Sequence, residues 1–171
     1  MKEKLTDFLR LNFPEAVIRE DNFCDQQSFY IHGEYLFDIC RAFQSDKELE
    51  FNFLMDICSL DWWGQPDEAE GRFEVVYNLY SLKHRYRFFL KVRLPAKEPK
   101  IDSVTSLWHT ADWLEREVYD MMGIFFVGHP DLRKIVTPDE LDGYPLRKDF
   151  PLTYEVPQFS YNKDQLPEVI L

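Results

Sequence analysis

Residues 73–94 read FEVVYNLYSLKHRYRFFLKVRL. Phe73, Val75, Tyr77 and Leu79 occupy every second position. After a break, Tyr86, Phe88, Leu90, Val92 and Leu94 do the same, with Arg87, Lys91 and Arg93 on the opposite face. Strict period-two alternation marks half-buried strands, because successive side chains of a strand point to opposite faces. Only Leu82 to Arg85 separates the two runs, so they are expected to pair as an antiparallel hairpin. Upstream, Leu49, Phe51, Phe53, Met55 and Ile57 alternate with Glu50, Asn52, Leu54, Asp56 and Cys58. This is a third strand, joined to the hairpin by an acidic loop from Gly64 to Gly71.

Outward from this centre, residues 2–12 read as a short helix with Leu5, Phe8 and Leu9 on one face and Pro14 ending it. Val17-Ile18 and Phe29-Tyr30-Ile31 are short strand candidates with polar chain between them. Gly33 precedes a second helix, in which Leu36, Ile39, Cys40 and Phe43 recur at helical spacing. Asp102 or Ser103 is placed to cap a third helix. Val104, Leu107, Trp108, Ala111, Leu114, Val118 and Met121 would form its apolar stripe, and Gly123 its end. Residues 1–122 therefore predict an α+β domain: an antiparallel or mixed sheet with helices packed on one face.

After Gly123 the character changes. Pro130, Pro138, Pro145, Pro151, Pro157 and Pro167 fall in residues 123–171, and no long periodic segment follows. Proline fixes its own backbone and disfavours helix at the residue before it. The stretch is too long for an ordinary loop. Leu132, Ile135, Val136, Leu146, Phe150, Tyr154 and Phe159 are spaced along it like anchors. Two readings stay open: an extended Pro-rich C-terminal arm that wraps a partner, or a segment folded back on its own domain.

Composition narrows the function. The net charge of −11 opposes nucleic acid and anionic membrane surfaces. The densest basic stretch, Lys83 to Arg93, alternates with apolar residues and reads as the wet face of a strand. Cys24, Cys40 and Cys58 contain no CxxC pair and read as buried reduced thiols. No secretory leader is visible after Met1-Lys2-Glu3, and the longest apolar run, Ile124 to Val127, is far short of a membrane span. Any membrane association is expected to go through another protein. Aromatics make up 16% of the chain, which suits either a Phe-rich core or a partner surface.

The local signatures of catalysis are missing. No GxGxxG, P-loop, GxSxG or HExxH pattern occurs. His109, Glu115, His129 and Asp131 match no ligand spacing, and His129 before Pro130 reads as a hydrogen-bonded turn histidine. Glu115 and Tyr119, like Arg116 and Asp120, are four residues apart and share a face; taken alone, they and Glu117 read as a solvated helix surface.

One long stretch changes the question. Residues 113–151 read WLEREVYDMMGIFFVGHPDLRKIVTPDELDGYPLRKDFP. The pieces Glu115-Arg116-Glu117, Tyr119-Asp120-Met121 and Gly123-Ile124 come first. Gly128-His129-Pro130-Asp131-Leu132-Arg133 and Gly143-Tyr144-Pro145-Leu146-Arg147-Lys148-Asp149-Phe150-Pro151 follow in order. Together they resemble the signature of the 30-kDa (C) subunit family of respiratory complex I. Met122 stands where that family usually has an aromatic. Residues 30–112 match it only in layout.

The resemblance implies a structural component of the peripheral arm of a proton-translocating NADH-quinone oxidoreductase, on the cytoplasmic side of the cell membrane. It implies packing against the (D) subunit that helps form the quinone cavity, near the (B) subunit that carries the terminal iron-sulfur cluster. It implies no cofactor, metal or catalytic residue in this chain, with FMN, iron-sulfur clusters and quinone held by partner subunits. An equivalent component of a membrane-bound hydrogenase or formate hydrogenlyase complex is the alternative. Arg133, Lys134, Arg147 and Lys148 bring positive charge to an acidic chain and are expected to pair with carboxylates, on Glu115 and Glu117 or on the quinone-cavity subunit. On that reading, removal of Arg147 would weaken assembly and spare the isolated chain.

Overall fold

The buried residues fall along the alternating runs just described. The computed structural model describes residues 1–153; Tyr154 and Phe159, expected as anchors, lie outside them. A five-stranded mixed sheet carries the domain. Its strands are β1 (Val17–Phe23), β2 (Gln26–Ile31), β3 (Phe53–Asp61), β4 (Phe73–Ser81) and β5 (Tyr86–Leu94), in the spatial order β1-β2-β5-β4-β3. β4 and β5 form the expected antiparallel hairpin, β3 adds antiparallel to β4, and β2 runs parallel to β5. Helices α1 (Lys2–Asn12), α2 (Leu36–Ser45) and α3 (Ala111–Met122) cover one face.

The core is aromatic at its centre. The Phe43 ring of α2 lies 5.3 Å from Phe8, 5.6 Å from Phe51 and 5.0 Å from Phe88. Such pairs contribute about 0.5–1.5 kcal/mol each beyond simple burial. Much of the aromatic surplus is thus core. Trp63, Trp113 and Phe125 nevertheless remain exposed.

The structure corrects several expectations. The hairpin β1-β2 replaces two isolated short strands. It turns on Cys24 and Asp25, both at positive φ (49° and 61°), as a tight two-residue hairpin turn demands. β1 is an edge strand with Arg19, Glu20 and Asn22 largely in water, so it shows no alternation. In β3 the parity expected from Leu49 to Ile57 fails. Leu54 and Ile57 are buried while Phe53 and Met55 are exposed, because a bulge between Leu54 and Asp56 inserts one extra residue.

The third helix begins later than expected. Lys100–Asp102 forms a short strand, β6, parallel to β7 (Phe125–Val127). Val104, Leu107 and Trp108 lie in a separate turn before α3, so neither Asp102 nor Ser103 caps it. Gly123 ends α3 in the left-handed conformation, as expected. Of the three thiols only Cys40 is buried; Cys24 and Cys58 are exposed. Lys91 and Arg93 do not simply face water either, because both reach Glu74, whose side chain is 1% exposed.

Candidate functional site

α3 is the hinge of the family segment. Ala111, Glu115, Val118 and Met122 lie on its buried face, so Glu115 occupies a core position in the middle of the apolar stripe. Its Oε1 accepts the Val104 N–H at 2.7 Å, and the residue is 0% exposed. Burial pushes the carboxyl up to about 7 against the pull of the Ser103 hydroxyl and the Val104 N–H, and Asp112 adds to the rise. Arg116 is also buried. Its Nε–H donates to the Arg133 carbonyl at 3.2 Å, and its guanidinium lies 4.8 Å from the centre of the Trp113 ring. Glu117 is exposed. The solvated helix surface expected from sequence is therefore only partly solvated.

Asp120 organises the chain that follows. Its Oδ2 accepts three backbone N–H groups, from Ile135 (2.8 Å), Val136 (2.7 Å) and Thr137 (3.0 Å), and Oδ1 accepts the Thr137 hydroxyl. Burial works to raise this carboxyl, but the four donors outweigh it and hold it below the usual range. An aspartate that binds three successive amides fixes the path of a strand-free segment as firmly as a ladder would.

Between these points the chain turns at Gly128-His129-Pro130. His129 behaves as the expected turn histidine: Nδ1 accepts the Asp131 N–H at 3.0 Å and Nε2 lies 3.1 Å from the Asp112 carbonyl. Arg133 pairs with Asp131 at 2.7 Å on the surface, and Leu132 packs against the core. Tyr119 is partly buried on the same core. Lys134 donates to the Leu141 carbonyl at 2.8 Å.

The last described stretch folds back across the sheet edge. Asp61, at the end of β3, and Arg72, just before β4, form a buried pair at 2.9 Å. Arg72 also holds Asp149 at 2.6 Å, and Asp61 accepts the Lys148 N–H at 2.9 Å. Burial tends to raise the Asp61 carboxyl, but Arg72 and the N–H groups of Lys148 and Trp63 hold it down at about 2. Arg147 donates from Nε to the Met122 carbonyl at 2.7 Å, with its guanidinium over Phe73 (4.9 Å) and Tyr144 (4.3 Å). Phe150 packs over Gly143, whose added Cβ would meet the ring at 3.1 Å. Pro145 is half-buried, and Pro130 and Pro151 are exposed.

The expected pairing of Arg133, Lys134, Arg147 and Lys148 with Glu115 or Glu117 does not occur. Asp131, backbone carbonyls and aromatic rings take the three side-chain cations, and the Lys148 residue is exposed. The clamp residues Asp61 and Arg72 lay outside every motif, because a pair this far from its partners in sequence leaves no local pattern. Glu115 did leave a signal, since it stands four residues after Ala111 and three before Val118.

No group of three His, Cys, Asp or Glu side chains suited to a metal occurs among the described residues. No helix among them is long and apolar enough to cross a membrane. Residues 133–146 run along the outer side of α3. There Trp113, Val136 and Leu146 stand 62%, 64% and 59% exposed.

Comparison with known proteins agrees with this picture. The profile of the family described as the 30 Kd subunit of respiratory-chain NADH dehydrogenase matches residues 29–156. The NADH-quinone oxidoreductase C subunit of Roseiflexus sp. is 42% identical over 158 residues, covering 92% of this chain and 88% of that one. A trypsin-resistant fragment of Nqo5 superposes with a TM-score of 0.67 at 35% identity, covering 77% of this chain and 98% of the fragment. A chain of an archaeal membrane-bound sulfane sulfur reductase gives 0.69 at 25% identity, covering 89% and 86%. The sequence signature, the fold and these likenesses agree, and the chain belongs to the 30-kDa subunit family of respiratory-chain NADH dehydrogenase.

Proposed function

We propose that this chain is a structural component of the peripheral arm of a proton-translocating NADH-quinone oxidoreductase. The outer side of α3, with residues 133–151 laid along it, docks the subunit that helps form the quinone cavity. It lies close to the subunit that carries the terminal iron-sulfur cluster. The chain itself holds no FMN, iron-sulfur cluster or quinone and supplies no catalytic residue. It sits on the cytoplasmic side of the membrane through the complex. The observation that carries this reading is the anchoring of the family segment. Its charged side chains are largely spent on holding residues 131–150 in place, while Trp113, Val136 and Leu146 face outward. Rigidly presented, exposed large side chains are what a permanent interface requires.

A second reading comes from the likeness to the sulfane sulfur reductase chain: an equivalent place in a related membrane complex with another electron donor, such as a hydrogenase or formate hydrogenlyase. Affinity purification of the tagged full chain from its host in mild detergent separates the two. Co-purification with flavin- and cluster-bearing subunits and NADH-quinone activity supports the first. Hydrogenase-type partners favour the second, and a chain that purifies alone overturns both. Iron, zinc or flavin bound stoichiometrically to the isolated chain would contradict the cofactor-free role.

A further inference from the structure

Glu115 poses a problem that its family role does not absorb. The residue is fully buried, and its Oε2 has no hydrogen-bond partner among the described residues. The Tyr77 hydroxyl of β4, also fully buried and without a hydrogen-bond partner among the described residues, and the Cys40 thiol of α2 share the core with it and feel its charge. The charged groups that act on this part of the core are acids: Asp112, on the helix of Glu115, and Asp102 of β6, which acts on Tyr77. Arg116, the cation on the same helix, is turned away to the Arg133 carbonyl.

A carboxylate needs a countercharge or two to three donors to be stable in a core. Glu115 has the Val104 N–H as its one close donor contact, with the Ser103 hydroxyl nearby. The neutral acid fits such a site better, since it brings no unbalanced charge into the core. Residues 103–108 lie between Glu115 and water as a turn in which Ser106 is exposed, Thr105 and Leu107 are half-exposed, and Ser103, Val104 and Trp108 are buried.

We propose that Glu115 is a proton-operated latch, holding residues 103–108 against α3 when neutral and releasing them when ionised. Ionisation places an unbalanced charge in the core, and the least disruptive relief is to open the turn and admit water. Release would not stop there. The Ser103 N–H donates to the Val127 carbonyl at 2.9 Å, so the turn is tied to β7 and to the Gly128 bend that follows it. The elevated carboxyl, at about 7, places the change near neutrality.

The test uses the full chain. Infrared spectra should show a protonated carboxyl band that persists far above the ordinary glutamate range and disappears around neutrality. Amide exchange at Ser103 and Val104, corrected for intrinsic rates and referred to β4 amides, should lose roughly tenfold protection between about pH 6 and pH 8. Glu115→Gln keeps the acceptor for Val104 and should abolish both effects. Absence of the band, or an unchanged loss of protection in Glu115→Gln, overturns the proposal. Should that variant fail to fold, Asp112→Asn decides. Loss of the neighbouring negative charge, which raises the Glu115 carboxyl, should lower the midpoint of the band. A band that does not move belongs to another carboxyl, such as Glu74, and overturns the proposal.

Discussion

Arg72 and Asp149, 77 residues apart in sequence, are joined by two hydrogen bonds of 2.6 and 3.0 Å. The same guanidinium holds Asp61 through two more, at 3.0 and 2.9 Å. One arginine thus fastens the end of the family segment to the edge of the sheet. The Arg72 and Asp61 side chains are 11% and 1% exposed, which makes this pair unlike an ordinary surface ion pair. Removing one partner of a buried pair leaves an uncompensated charge and costs about 3 kcal/mol. Arg72→Ala should therefore lower the stability of the isolated chain in urea by that amount. Arg72→Lys should recover little of it, because an ammonium cannot serve two carboxylates with a planar fork. A variant as stable as the parent would refute the clamp.

Asp61 makes the same clamp sensitive to acid. Its folded-state carboxyl sits at about 2, below its ordinary value. A depressed carboxyl stabilises the fold above the unfolded value, near 4, and loses that contribution as pH falls toward 2. Melting temperature should drop through that window, and Asp61→Asn, less stable at neutral pH, should show a shallower drop. An equal acid slope in both proteins would refute the assignment.

The contacts of Arg147 bear on the stability of the chain itself. It meets the Met122 carbonyl and two aromatic rings within its own chain, and no carboxylate lies in ion-pair range among the described residues. A hydrogen bond contributes about 1 kcal/mol and each cation–π contact about 0.5–1 kcal/mol. Arg147→Ala should lower the melting temperature of the isolated chain by the equivalent of about 2 kcal/mol. An unchanged melting temperature, with loss of assembly in the host, would return the residue to a partner-docking role.

A side chain at Gly123 would displace Tyr144 and Arg147. The φ of Gly123 is +69°, and an added Cβ would collide with the Tyr144 ring and meet Arg147 Nη2 at 2.6 Å. Left-handed backbone costs a non-glycine residue about 1–2 kcal/mol before any clash. Gly123→Ala should destabilise by more than that and should release residues 144–150 to proteolysis. Gly64→Ala provides the comparison: its φ is similar, +71°, with nothing within 4 Å, so it isolates the backbone cost.

The parts of this molecule that sequence announces are those with local periodicity and one wet face. β5 qualifies, β4 keeps the period although its second face is largely covered, and their short connection fixes their pairing. β1 does not, because an edge strand in water on both sides has no reason to alternate. β6 and β7 are three residues each, too short for any period. The bulge in β3 is invisible because Phe53 and Met55 are as apolar as the residues they displace. Within the site, the motif residues were legible as a set but their roles were not. The partners of Arg147, and the clamp of Asp61, Arg72 and Asp149, are contacts between segments, which a linear pattern does not encode. Whether a given carboxylate is buried is likewise decided by tertiary packing, and Glu115 in its stripe was the one hint.

The clamp also sets an order of events. Asp61 and Lys148 meet across 87 residues, so their contact cannot form until β3, β4 and the chain as far as Lys148 exist. Closing so long a loop early would cost entropy with little return, so the sheet must precede it. During synthesis from the N-terminus, residues 144–151 leave the ribosome after every strand of the sheet. The surface along α3 therefore takes its final shape only once residues 144–150 have been made. A product that stops before residue 144 would keep its sheet and lack the clamp that finishes this surface.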